Sequence, residues 1–384
     1  MENCTIFSWL YYNSNNVFKD YNVHRKSDFS YCINDSKAND LRIIKHYKLN
    51  PDTIYYVLVD IKTENVVNTQ NKENPIGACI STNDWFCSKS LFSTNDWQTV
   101  GILGRTDNEG KIYVSFNLGY TCNACIGTAW FENIRFIPMD KLNFHDNTWR
   151  FLAVIVRESE LDTFDESLNE NIHLEHQMSI DEINAIRDSL YRFEEDFNID
   201  AEGLFNVKVD ILETSVKFKD YTKISMGYTA SAPSSRKYLE EVGVDILSYD
   251  HIIMIISQPS LSASYFGLGG INIKGQVGYS FILHLNINDS IQYLKNEQKE
   301  SWSSAIYIHE FLHSIESLSK SLNFEVPMVD GDRFNYPSDQ EYRLWYKDFI
   351  HNNIVVDGKR LGVDPRIFKL RPSLLNNYLK YDIF

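Results

Sequence analysis

The spacing of apolar residues changes character near residue 148. Before that point they fall in short runs: Tyr55 to Ile61 (YYVLVDI), Ile112 to Leu118 (IYVSFNL) and Thr128 to Ile137 (TAWFENIRFI), separated by Asn, Asp and Gly. Runs of β-branched and aromatic residues suit a pleated, half-buried surface, and turn residues between them predict an all-β sandwich or barrel. The pentapeptide Ser81-Thr-Asn-Asp-Trp85 recurs as Ser93-Thr-Asn-Asp-Trp97. One recurrence is too little for a solenoid and predicts two turn–strand junctions instead.

Beyond residue 148, strand-like and helix-like patterns alternate. Phe151 to Val156 (FLAVIV) reads as a strand. Ser179 and Glu182 have the spacing of a capping box, and Ile180, Ile183, Ile186, Leu190, Phe193 and Phe197 follow at helical spacing as one apolar stripe. Phe205 to Thr214 alternates as a strand, Ser234 to Val242 suits a short helix, and His251 to Ile256 (HIIMII) reads as a buried strand. Gly267-Leu-Gly-Gly270 breaks the chain before a strand at Tyr279 to Leu285. Ser301 is placed to cap a helix running to about Leu322, and Asp339 to His351 predicts another. That alternation predicts an α/β sheet backed by helices. The expected organisation is therefore multi-domain, with an all-β sandwich over 1–148 and an α/β domain over 149–384.

Charge and cysteine sharpen the division. Residues 1–148 carry 14 basic and 16 acidic side chains, whereas 149–384 carry 23 and 36, so nearly all of the net −15 belongs to the second part. A surface that acidic repels phosphate backbones and argues against a nucleic-acid partner. All six cysteines (Cys4, Cys32, Cys79, Cys87, Cys122, Cys125) lie in the first part, which fits either three disulfides of unknown connectivity or buried free thiols. No apolar run approaches the roughly 18 residues that span a bilayer. The start, MENCTIFSWLYYNSNN, shows no basic region followed by an apolar stretch of the secretory kind. A secreted or extracellular protein is expected, with an intracellular or delivered effector as the alternative.

The chemistry concentrates in Ile308-His309-Glu310-Phe311-Leu312-His313-Ser314-Ile315-Glu316, which contains H-E-x-x-H. Residues four apart on a helix lie one above the other, about 6 Å apart. The two imidazoles can therefore converge on one Zn²⁺ at about 2.0–2.1 Å, with Glu310 beside the metal as general base. Ile306, Phe311, Leu312, Ile315 and Leu318 surround the motif with apolar positions, so the helix can bury itself and present its polar face to a cleft.

These residues resemble zincin metallopeptidases, and the element order resembles the upper half of that fold with the zinc helix last. The resemblance implies a zinc-dependent endopeptidase acting on a protein or peptide substrate. Metzincins place Gly and then His or Asp three and six residues after the second His; Glu316 and Ser319 stand here, which disfavours that subclass. Glu316 is expected to bond an imidazole N–H rather than the metal. The stretch Val326 to Tyr336 loosely resembles the aspzincin loop and implies Asp330 as third ligand, Asp332 as second choice and Tyr336 as donor to the developing oxyanion. Glu341 is a gluzincin-like alternative. The Gly267 to Leu285 region occupies the place of the zincin edge strand that pairs with extended substrate, and His284 within it reads as a packed histidine.

In the first part, Ser93-Thr94-x-x-Trp97, Leu118-Gly119 and Gly127-Thr128-Ala129-Trp130-Phe131-Glu132-Asn133-Ile134 resemble the closing half of jelly-roll carbohydrate-binding modules. That implies a carbohydrate ligand, with Trp85, Trp97 and Tyr120 as stacking candidates and a glycoprotein as a natural substrate. Two further readings follow: a glycan-binding adhesin whose zincin fold is inactive, and a metal-dependent hydrolase of something other than peptide.

Overall fold

A computed structural model describes residues 4–8, 21–27, 30–70, 75–83, 86–120, 123–142, 146–165, 169–225, 227–257, 267–274, 276–284, 300–331, 336 and 342–381. The chain forms two compact units, one of Met1–Asn143 and the other of Phe144–Lys320 with Phe324–Asn377; the short segments 321–323 and 378 onward group with the first. The division falls five residues before the expected boundary.

The first unit contains β1 (Cys4–Ser8), β2 (Tyr21–Ser27), β3 (Ser30–Asn39), β4 (Leu41–Lys48), β5 (Ile54–Asn68), β6 (Ala78–Ser81), β7 (Ser93–Arg105), β8 (Lys111–Leu118) and β9 (Cys125–Pro138). They form two antiparallel sheets, β1-β4-β8-β6 and β2-β3-β9-β5-β7. The chain changes sheet repeatedly, so the two layers share one core, with Ile43, Val114 and Phe116 from one sheet packed with Val57, Val59, Val100 and Phe131 from the other. Phe116 meets Phe131 edge-on at 5.6 Å between centroids. This is the β-sandwich that the period-two runs predict. In β9, Phe131 joins the core while its neighbour Trp130 is only half-buried.

The second unit is built on a mixed sheet. Its strands β10 (Thr148–Val156), β13 (Asn206–Thr214), β16 (His251–Ser257), β17 (Gly267–Lys274) and β18 (Val277–His284) lie in the order β13-β10-β16-β18-β17. The first four run parallel, and β17 is antiparallel at the edge. Parallel strands covered on both faces read as continuous apolar runs, and every residue from Phe151 to Val156 is buried. On one face Leu152, Val154, Ile252, Met254 and Phe281 pack with Tyr238 and Leu239. On the other, Phe151 stacks edge-on against Phe193 and Phe311 at 5.3 and 5.0 Å.

The helices are α1 (Ile180–Asp200), α2 (Ala232–Glu241), α3 (Glu300–Ser321), α4 (Tyr342–Ile350) and α5 (Pro372–Tyr381). The capping box forms at α1: the Ser179 hydroxyl accepts from Glu182 N–H while the Glu182 carboxylate accepts from the Ser179 N–H. The α1 stripe is buried from Ile183 to Phe197, but Ile180, the first residue of the helix, is exposed. Among the described residues three antiparallel pairs lie outside the main sheets: β11 (Glu158–Asp165) with β12 (Glu170–Gln177), β14 (Thr222–Ile224) with β15 (Gly227–Thr229), and β19 (Ile354–Val356) with β20 (Lys359–Leu361). Among the described residues no helix is long and apolar enough to cross a membrane.

Candidate metal centre

Helix α3 carries His309, Glu310 and His313 and is fixed against α1 by polar as well as aromatic contacts. Ser304 Oγ donates to Asp196 Oδ2 at 2.7 Å, and the hydroxyls of Ser189 and Tyr307 lie 2.9 Å apart. Phe311, between the two histidines, is buried against Phe151, Phe197 and Trp149. The apolar side of the motif is thus driven into the sheet, which leaves the imidazoles half-buried on the other side.

Three donor groups converge there. His309 Nε2 and His313 Nε2 are 3.2 Å apart. Asp330 Oδ1 lies 3.2 Å from His309 Nε2, and Asp330 Oδ2 lies 3.4 Å from His313 Nε2. Donors about 2.0–2.1 Å from a tetrahedral zinc ion stand about 3.3 Å from one another, so these separations fit a single ion. The charges also fit. Burial acts against protonation of His313, yet the carboxylates of Glu316, Glu310 and Asp330 raise its pKa above the ordinary value. That surplus of negative charge around the imidazoles is what a divalent cation would offset.

Glu310 is buried beside this group, and burial, opposed by His313 and reinforced by Asp330, pushes its carboxyl up to about 7. Its neighbour is the glycine stretch of β17. A Cβ built on Gly267 would stand 2.6 Å from Glu310 Oε1, and one on Gly269 would stand 2.2 Å from the Glu310 carbonyl oxygen. Gly270 adopts φ +87° and would meet His313 Cβ at 3.1 Å. The glycines expected to break the chain are instead part of a strand, and their missing side chains let its backbone lie directly on the motif helix.

The imidazoles have further partners. His309 Nδ1 lies 2.9 Å from the Tyr346 hydroxyl on α4, a helix held in place by Arg343, which pairs with Asp196 at 3.1 Å and Asp200 at 2.8 Å. Glu316 Oε2 is 3.6 Å from His313 Nδ1, accepts from Val329 N–H at 2.9 Å, and its other oxygen pairs with Lys320. Although burial raises the Glu316 carboxyl, bonds from His313, Lys320 and the Val329 amide hold it down at about 2.

Of the expected residues, His309, Glu310, His313 and Asp330 come together. Tyr336 is bound elsewhere, donating to Asp348 Oδ2 at 2.5 Å. Tyr346, which sequence reasoning missed, is the tyrosine that touches a histidine of the group; nothing in its local pattern sets it apart from a core aromatic. Asp332 and Glu341 lie outside the described residues, as does the side chain of His284. A second group, Glu160, His173 and Glu175 on β11 and β12, has the reach to hold a cation, but Lys217 and Lys219 already neutralise Glu160 and Glu175.

In the sandwich, Trp97 is 40% exposed. Thr99, two residues on along β7, donates to Asp60 Oδ1 at 2.6 Å, and Asn133 and Arg135 also bond Asp60, at 3.0 and 2.8 Å. Tyr120 is not a surface aromatic: it is buried, its hydroxyl donates to the Asn83 carbonyl, and Arg42 covers its ring. Trp85 lies outside the described residues. Cys32, Cys79, Cys87 and Cys125 are free thiols; the side chains of Cys4 and Cys122 lie outside those described.

No family model matches the sequence, and no curated protein matches it. Among solved structures, a CBM4 domain is similar at 17% identity over 36% of this chain and 89% of its own, with a TM-score of 0.25. A family 11 carbohydrate-binding module of a Clostridium thermocellum cellulosomal cellulase is similar at 12% identity over 36% and 89%, TM-score 0.22. A family 29 carbohydrate-binding module from Piromyces equi is similar at 11% identity over 35% and 80%, TM-score 0.20.

Proposed function

We propose that the chain is a zinc-dependent endopeptidase of the zincin type. The observation that carries the reading is the convergence of His309, His313 and Asp330 at 3.2–3.4 Å beside a buried Glu310. The antiparallel edge strand β17 lying along the motif helix adds support. Zinc held by the three donors would supply Lewis acidity and bring the pKa of a water molecule near neutrality. Glu310 is placed to take a proton from the attacking water and return it to the leaving amine; a carboxyl near 7 suits both directions of transfer. Tyr346 holds the His309 ring through Nδ1, which turns Nε2 toward His313 and Asp330. The edge of β17 away from β18 offers backbone groups to an extended peptide, giving affinity that depends little on side chains.

The direct test is cleavage of an unfolded protein substrate by the zinc-loaded chain and by Glu310→Gln. The variant is expected to keep zinc at one equivalent and to lose cleavage by several orders of magnitude. A Glu310→Gln protein as active as wild type would sink the reading. For the first unit we propose carbohydrate binding, because Trp97 is exposed on β7, the strand whose Thr99 joins Asn133 and Arg135 on Asp60, so an aromatic ring and fixed polar groups share one strand. Glycan-array binding that Trp97→Ala abolishes would support it. Such binding without bound zinc or cleavage would favour the adhesin reading for the whole chain.

A further inference from the structure

We infer that Glu316 positions the third metal donor by fastening the loop that carries Asp330 to the helix that carries His309 and His313. The inference rests on the metal site proposed above. Three residues after His313, Glu316 lies on the same side of α3, and helical side chains lean toward the N-terminus, so its carboxylate reaches back toward that ring. The same oxygen, Oε2, stands 3.6 Å from His313 Nδ1 and accepts from the Val329 N–H at 2.9 Å. Val329 immediately precedes Asp330. One carboxylate oxygen therefore touches a ring on the helix and the backbone of the loop at once.

Position along the loop makes that bond consequential. The Asp330 side chain is 66% exposed, so packing does little to hold it. The residue before it is fully buried, and a buried N–H without an acceptor is costly to leave unpaired. Glu316, itself only 8% exposed, supplies that acceptor, and its second oxygen is anchored by Lys320. A turn closed by Gly331 N–H on the Met328 carbonyl at 3.0 Å then aims Asp330 at the histidines. Without Glu316 the loop loses its tie to α3, and Asp330 must be recruited from a wider ensemble each time metal binds.

Zinc affinity, measured by competition with a chromophoric chelator, tests this in a double-mutant cycle on the full chain. Glu316→Ala should weaken zinc roughly 10- to 100-fold, the usual cost of losing a group that orients a ligand. Asp330→Ala should weaken it as well, and the double variant should bind no more weakly than Asp330→Ala alone. If the Glu316→Ala loss persists undiminished in the Asp330→Ala background, Glu316 acts through His313 and the loop role is overturned. Should Glu316→Ala fail to fold, Glu316→Gln carries the test, since it keeps an acceptor for Val329 but removes the charge beside His313. A loop role predicts affinity close to wild type, and a histidine role predicts the full loss. Wild type binding zinc no better than His309→Ala would instead remove the metal site itself, and this inference with it.

Discussion

Gly267→Ala isolates the contact between the edge strand and Glu310, the proposed general base. Ordinary van der Waals contact begins at 3.4 Å, and the new Cβ would stand 2.6 Å from Glu310 Oε1, 2.8 Å from Cδ and 2.9 Å from Cγ. The carboxylate must therefore retreat by 0.8 Å, the difference between 3.4 and 2.6 Å. A misplacement of about 1 Å in a reacting group costs on the order of 100-fold in rate, so kcat/KM should fall by roughly 30- to 100-fold, about 2–2.7 kcal/mol. Stability should change little. Losing glycine freedom in the unfolded chain stabilises by about 0.4–1 kcal/mol, which offsets the low end of the ~1–3 kcal/mol for overpacking, because a side chain can yield. Gly269→Ala supplies the contrast: its Cβ would press on the Glu310 carbonyl oxygen at 2.2 Å, and backbone cannot yield so easily. That variant should lose about 1–3 kcal/mol, a melting point several degrees lower. Peptide hydrolysis, zinc content and calorimetry of the three proteins give the comparison. Gly267→Ala with full activity, or with the melting loss of Gly269→Ala, would refute the reasoning.

Three further outcomes are expected. His251 is fully buried, with Nε2 2.6 Å from Ser280 Oγ, and burial lowers its pKa from 6.5 to about 3. Below pH 6.5 the unfolded chain takes a proton that the folded chain refuses, so stability present above 6.5 is lost as pH falls, at about 1.4 kcal/mol per unit until the folded pKa. Metal-free urea unfolding should show a loss on the order of 3 kcal/mol by pH 4.5, and His251→Leu should remove it; parallel pH dependences would contradict the assignment. Zinc at 100 times its Kd should raise the unfolding free energy by about 2.7 kcal/mol, with EDTA reversing the gain and His313→Ala abolishing it. Ser179→Ala should cost about 1 kcal/mol in urea unfolding, since it removes one half of the α1 capping box; a loss below 0.3 kcal/mol would show that the cap is energetically idle.

What could be read from the chain was local. The strand β10 and the motif helix α3 announce themselves through periodicity, and the helix α1 through its capping box as well, whereas Ser301, read as a cap, lies inside α3, which begins at Glu300. The His309–His313 pair is equally local, since helical geometry alone brings the two rings together. What escaped depends on contacts between elements. The hairpin of β11 and β12 has few apolar positions, Leu161 and Leu174 paired on its covered side with Ile172 nearby, and exposed Asp162, His173 and Glu175 between them, so its alternation is too short to stand out. Gly267 to Gly270 looked like a chain break because glycine is read as flexibility, whereas here the absence of Cβ serves close packing. Tyr336 and Tyr346 are both plausible tyrosines in sequence, and only the packing of α4 distinguishes the one bound to Asp348 from the one on His309. Tyr120 likewise resembled a surface aromatic until Arg42 was found over its ring.

The compactness of the donor set along the chain has a kinetic consequence. His309, His313 and Asp330 lie in one stretch of helix and loop, and among the described residues no distant strand adds a donor to them. Sites assembled from remote segments must await the fold, because long loops close late. This one needs a helix, which forms in about a microsecond, and a short loop, which closes faster still. At the proposed zinc site, a metal ion could therefore meet its ligands before the parallel sheet is complete and act as a template on which the domain finishes folding.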